Sequence, residues 1–125
     1  MTKFSASWKS SRKPGKQRKY RITAPIHIKQ NLVHAHLSGD LRKKHGKRNA
    51  GLRKGDKVKV LRGQFRKHEG KVERVDIKNT KIYVSGIELS KRDGTKKPLA
   101  LHPSNLMITE LSMDDKLRQK SFERK

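Results

Sequence analysis

Apolar and polar positions alternate with a period of two through much of the second half of the chain. Lys57-Val58-Lys59-Val60 is the clearest run, with the two valines on one face as in a half-buried strand. Ile82 and Val84 alternate in the same way, as do Ile87 and Leu89, Leu99 and Leu101, and Leu106 and Ile108. Val75 and Ile77 share a face while Val72 falls on the other parity, so the pattern predicts a bulge between them. Lys78-Asn79-Thr80, Asp93-Gly94 and His102-Pro103-Ser104-Asn105 separate the runs, and Asp93-Gly94 is a hairpin-turn signal. About five or six short strands in about 55 residues predict a mainly β fold, a small antiparallel barrel and not a sandwich.

The first half reads differently. Residues 24–46 hold two short helices. Pro25 suits a first helical turn, and Ile28 and Leu32 are spaced to share a face. The second helix has clear end signals: Ser38 as N-cap, Asp40 in the first turn, Arg42, Lys43 and Lys44 near the negative end, and Gly46 to close it. Residues 3–21 carry Lys3, Lys9, Arg12, Lys13, Lys16, Arg18, Lys19 and Arg21 among Ser10, Ser11, Pro14 and Gly15, with no helical periodicity. That stretch reads as an extended arm. At the other end, Ser112-Met113-Asp114-Asp115 resembles a capping box and predicts a C-terminal helix starting at Ser112, with Met113 and Leu117 toward the barrel and fraying beyond Arg118. The resulting organisation is an extended basic arm (1–23), short helices and linker (24–50), the barrel (51–111), and a C-terminal helix and tail (112–125).

Composition turns this outline into a functional expectation. Lys and Arg number 34 against 11 Asp and Glu, a formal charge of +23, and no acidic residue precedes Asp40. Such a charge opposes compaction unless a polyanion neutralises it, which points to nucleic acid ahead of an acidic membrane surface. Apolar residues are 30% of the chain and aromatics 5%, too few to bury all of it, so a small module with polar extensions is expected. There is no cysteine, which removes disulfides, thiolate zinc sites and Cys nucleophiles. With no long apolar run and no signal-peptide core, the chain is expected to be soluble and intracellular.

Residues 55–76 carry the chemistry. Arg62-Gly63 opens a loop after the first strand, and Gly70-Lys71-Val72 leads into the next. Gly63 and Gly70 permit positive φ or close backbone approach, Phe65 anchors the loop to the core, and Arg62, Arg66, Lys67 and Lys71 are left facing a polyanion. This segment resembles the KOW motif, whose modules are SH3-like barrels. In chain order, Gln17-Arg18-Lys19-Tyr20, Ala24-Pro25 and Ile28 precede it, then Leu37-Ser38 with Leu41-Arg42-Lys43-Lys44, and Arg53-Lys54-Gly55-Asp56. Asp93-Gly94-Thr95, His102-Pro103-Ser104-Asn105 and Leu106-Met107-Ile108-Thr109 follow. Together, over about residues 12–120, they resemble large-subunit ribosomal protein twenty-four in its archaeal and eukaryotic form, called twenty-six in eukaryotes.

The resemblance implies a structural, non-enzymatic, cytoplasmic and ribosome-bound protein. Its partners would be large-subunit rRNA, in the 5′ region near the nascent-chain tunnel exit, and neighbouring large-subunit proteins, with a role early in assembly. No cofactor, metal, membrane or small-molecule substrate is implied. Carried over by position, the RNA-facing loop is Arg62, Gly63, Arg66, Lys67, His68, Gly70 and Lys71. His68 stands where the family commonly has a small or polar residue, and no specific contact is assigned to it. The basic arm residues, with Trp8 and Tyr20 as stacking groups, join the candidate rRNA-binding set. So do Arg42, Lys43, Lys44, Lys47, Arg48, Arg53 and Lys54.

Plainer readings stand beside these. As the lesser alternatives, the arm reads as an unspecific basic tail and the loop as a solvated hairpin, and Trp8 reads as a contact to RNA, to protein or to nothing. Tyr83 reads as a packing residue. His34 and His36 are two apart, the wrong spacing for helical metal ligands, and Asp114 and Asp115 read as helix N-terminal charges. Rival functions are a KOW-type transcription elongation adaptor, which usually carries a further α/β domain, and a general nucleic-acid-binding protein. An enzyme is the weakest rival, because no nucleophile elbow, P-loop or carboxylate cluster is present.

Overall fold

The computed structural model describes residues 3–124; Met1 and Thr2 of the arm and Lys125 of the tail lie outside the described residues. The arm is helical, not extended. A 3-10 helix at Ala6–Ser10 precedes α1 (Pro14–Thr23). Pro14 sits at the helix start, where its missing N–H costs nothing, and Lys, Gln and Arg fill most of the following turns as good helix formers. The Gln17 amide donates to the carbonyls of Trp8, Lys9 and Ser11 at 3.1, 3.0 and 2.7 Å, which folds the 3-10 helix back onto α1. Neither helix buries a residue, so neither leaves a hydrophobic periodicity to read.

α2 (Ile26–Lys29) follows Pro25 and runs into a 3-10 turn at Gln30–Leu32. Lys29 is buried, and its Nζ reaches the Lys78 carbonyl at 3.2 Å. Residues 24–50, expected to hold short helices and linker, also contribute two strands. β1 (His34–Leu37) buries Ala35 and Leu37 and exposes His34 and His36, and β2 (Asn49–Gly51) pairs antiparallel with it. Between them lies α3 (Gly39–His45), with the predicted caps. Ser38 Oγ accepts from the Leu41 N–H at 3.4 Å, and Gly46 takes φ 64°, its N–H donating to the Arg42 carbonyl at 2.8 Å.

Five runs expected from period-two patterning form strands: β3 (Lys57–Val60), β4 (Glu69–Asp76), β5 (Lys81–Val84), β6 (Glu88–Ser90) and β8 (Leu106–Glu110). The Leu99–Leu101 run does not; Leu101 makes only an isolated bridge, and the strand before it, β7 (Lys96–Pro98), is fully exposed and has no alternation to predict it. The main sheet runs β2-β1-β8-β3-β4-β5, with β1 parallel to β8 and the other pairs antiparallel. The predicted bulge is present: the β4–β5 register shifts between Val72 and Arg74. The mainly β class holds, but the sheet is open, not closed into a barrel. Its edge at β5 is covered only by an isolated bridge in which Ile82 and Leu101 exchange backbone hydrogen bonds at 2.9 and 2.8 Å. β6 and β7 form a separate ribbon across the Asp93-Gly94 turn. Val58, Val60, Val72, Ile82, Val84, Ile87, Leu106 and Ile108 make the core together with Val33, Ala35, Leu37, Ala50 and Leu52, and Phe65 packs against it as expected.

α4 (Lys116–Glu123) starts later than the sequence suggested. Its N-cap is Asp115, whose carboxylate accepts from the Leu117 N–H at 2.8 Å, and the helix continues five residues past Arg118. Leu117 is 74% exposed, and the helix instead turns Arg118 and Phe122 inward. The cause is an ion pair. Asp56 is fully buried and Arg118 is 5% exposed. The guanidinium donates to both Asp56 oxygens at 2.6 and 2.7 Å, and also to the carbonyls of Ser112 and Gly51 at 2.7 and 3.1 Å. The backbone N–H groups of Arg53 and Ser112 complete the carboxylate's partners at 2.9 and 3.0 Å. A spacing of four residues then places Phe122 on the face that Arg118 has fixed.

Arg118→Ala is expected to lower stability by about 3–5 kcal/mol, because the buried Asp56 carboxyl loses its partner. Urea unfolding followed by circular dichroism measures it; a loss under about 1 kcal/mol would place this pair among the weak surface-type bridges.

Candidate nucleic-acid interface

The link between β3 and β4 is a rigid, tightly turned loop. Val60 accepts from the Lys67 N–H at 2.9 Å, and its own N–H donates to the His68 carbonyl at 2.9 Å. Inside this frame the Arg66 N–H donates to Gly63 at 3.1 Å and the His68 N–H to Phe65 at 3.0 Å. Gly63 has φ 95°, and Lys67 has φ 72°, a conformation uncommon for a non-glycine residue. With Phe65 turned to the core, Arg62, Arg66 and Lys67 are left exposed. None of the three takes part in the ion pairs found among the described residues. The nearest acid in sequence, Glu69, is held by Lys59 at 3.1 Å. The loop therefore presents unneutralised cations on a fixed backbone, the arrangement that a phosphate backbone complements.

Two other loop candidates build the frame instead. A Cβ on Gly70 would lie 2.7 Å from the Ser85 carbonyl oxygen and 2.8 Å from Val84 Cγ1, so only glycine fits there. His68 is half-buried, its Nε2 3.2 Å from the Ser85 carbonyl, and its ring lies against Gly86, which has φ 78°. Lys71 is exposed, while its N–H donates to Ser85 Oγ at 3.0 Å.

In the arm, Lys3, Lys9, Arg12, Lys13, Lys16, Arg18, Lys19 and Arg21 are all exposed. Trp8 and Tyr20 are half-buried, and the Tyr20 ring lies 5.4 Å from that of Phe4, centroid to centroid. Arg42, Lys43 and Lys44 are exposed at the C-terminal end of α3, with Arg42 Nε donating to the Leu37 carbonyl at 2.9 Å. Arg48 and Lys54 are exposed as well. Lys47 and Arg53 turn toward α4: Lys47 hydrogen-bonds the Ser121 carbonyl and lies 5.3 Å from the Phe122 ring centre, and Arg53 pairs with Asp115. The Arg53 hydrogen bond, with the Leu117 N–H, holds the Asp115 carboxyl below the usual carboxylate range.

One basic element is missing from the sequence-based candidates. Lys91, Arg92, Lys96 and Lys97 flank the Asp93-Gly94 turn on the β6–β7 ribbon, all exposed, and neither strand of that ribbon buries a residue. Paired basic residues on both sides of a hairpin turn were the available signal.

A family model described as the ribosomal proteins L26 of eukaryotes and their archaeal counterparts matches residues 11–125. The chain belongs to this family. Large ribosomal subunit protein uL24 of Methanothrix thermoacetophila is 49% identical over 114 residues, covering 91% of this chain and 98% of that protein. The protein of the same name from Methanosphaera stadtmanae is 46% identical over 115 residues, covering 92% and 98%. The family is structural and not enzymatic. Residues 1–10, with Trp8, precede the matched segment.

Gly70→Ala is expected to destabilise the loop frame by about 1–3 kcal/mol, since the added methyl meets a backbone carbonyl that cannot rotate away. Thermal unfolding of the variant measures this, and an unchanged midpoint would show that the strand pair yields freely at this position.

Proposed function

We propose that the chain is a structural constituent of the large ribosomal subunit and binds its rRNA, in the 5′ region near the nascent-chain tunnel exit, early in subunit assembly. The observation that carries this reading is the β3–β4 loop, where Arg62, Arg66 and Lys67 are exposed and unpaired on a hydrogen-bonded backbone. The uL24 relatives, named as large-subunit proteins, support the subunit. The overall charge of +23 supports a polyanionic partner. The protein is cytoplasmic and ribosome-bound, with neighbouring large-subunit proteins as further partners.

Binding proceeds by displacement of counterions from phosphates, which supplies affinity and makes it salt-dependent. The deep groove of paired RNA excludes side chains, so selectivity comes from the shape of folded RNA. The rigid loop and the end of α3 match fixed phosphate positions, with arginine able to bridge two oxygens at once. The helical arm adds a second cationic surface. Trp8 and Tyr20 sit in it as stacking groups, both half-buried, with Tyr20 against Phe4. Lys71, Arg48 and Lys54 extend the same contact, while Arg53, His68 and Gly70 act by holding the frame.

Replacing Arg62, Arg66 and Lys67 together by Ala is expected to leave the fold intact and to reduce the salt slope of binding by about two to three units. The probe is a transcript of the 5′ region of large-subunit rRNA, titrated at several salt concentrations. An unchanged slope would remove these side chains from the RNA.

A further inference from the structure

Between the C-terminal end of α3 and the last turns of α4 lies a groove of about 880 Å³ that the loop and the arm do not use. Its volume falls in the range of sites that enclose small organic ligands. Lys44, His45, Lys47, Gln119, Phe122 and Arg124 line it. The His45 and Phe122 rings form one wall, with centroids 4.8 Å apart and planes tilted by 53°. The two elements are held in place independently of any occupant. Gly46 closes α3, and Arg118 fixes the rotation of α4 through Asp56.

We propose that this groove receives one unpaired nucleotide of folded RNA, its base against the His45–Phe122 rings and its phosphates among Lys44, Lys47 and Arg124. The proposal rests on the RNA-binding reading above and adds a nucleotide-scale site to it. Three features select this occupant. The lining cations Lys44, Lys47 and Arg124 face a single acid, Glu123, so the complement is an anion. A paired aromatic wall suits a planar base, which stacks on such rings whatever its identity. Gln119 donates one amide hydrogen to the Met113 carbonyl at 2.5 Å and keeps its amide oxygen and a second hydrogen for a base edge. Burial, then Lys44 and Lys47, lowers the His45 pKa, which favours the uncharged imidazole as a stacking face. An acidic peptide would satisfy the cations and leave the aromatic wall unmatched.

The test uses the full chain with a transcript of the 5′ region of large-subunit rRNA carrying 4-thiouridine, irradiated and mapped by mass spectrometry of the protein. Phe122→Leu keeps an apolar side chain but removes the ring, and His45→Ala removes the other ring of the same wall from α3. The proposal expects a cross-link at or beside His45 or Phe122. It expects each variant to unfold cooperatively and to weaken binding about fivefold or more, measured well below the unfolding midpoint. Normal transcript binding with no cross-link in the groove and unchanged affinity of both variants would overturn the site while leaving the RNA reading intact. Failure of the unaltered chain to bind the transcript would overturn both. In reconstituted subunits, a cross-link from the groove to another protein and none to RNA would also overturn it.

Discussion

The buried pair of Asp56 and Arg118 organises the molecule. It ties four places in the chain: the end of β2 through Gly51, the turn into β3 through Arg53, the segment before α4 through Ser112, and α4 itself. A charge pair out of water is a liability unless its remaining donors and acceptors are met. Here the carboxylate accepts four hydrogen bonds and the guanidinium makes two more to carbonyls, so no lone charge is stranded. That explains how a strand-rich module with few apolar residues fixes the position of a helix whose own turns are mostly polar.

The same logic governs the other charges. The chain has 11 acidic residues against 34 Lys and Arg. Asp56, Glu69, Glu110 and Asp115 each hold a basic partner within the frame. Asp76 and Asp93 brace turns, where the Asn79 amide and the Thr95 hydroxyl respectively hold their carboxyls below the ordinary range. With these acids engaged in the frame, the surplus cations of the loop, the arm and the β6–β7 ribbon project outward. The charged residues thus divide between the frame and the surface, and the electrostatics that the chain leaves open are those a polyanion would complete.

Much of this was legible in the residues, and the misses have physical causes. Period-two alternation located β3 to β6 and β8 but missed β7, whose Lys96–Pro98 is exposed throughout; the parity break between Val72 and Val75 located the bulge, and Ser38 and Gly46 located the ends of α3. β1 and β2 escaped because strands this short, with small Ala35 and Ala50 as buried residues, leave a faint pattern. α1 escaped because it buries nothing. α4 was set in the wrong register because a capping pattern at Ser112 competes with one at Asp115, and only the distant Asp56 decides between them. The open sheet reflects an edge at β5 that meets the chain at a single bridge, Ile82 with Leu101, and not at a further strand, which strand counting cannot see. In the candidate site, residue type identified which side chains carry charge. Whether Lys47, Arg53 and His68 face outward depended on neighbours far away in sequence.

Incorporation of this protein into the large subunit is the claim on which its function turns. Sedimentation of a cell lysate on a sucrose gradient, with the protein followed through a high-salt wash, tests it. The expected result is migration with the large subunit before and after the wash, because many phosphate contacts on a rigid frame act together. Recovery in the light fractions, or together with RNA polymerase, would contradict it.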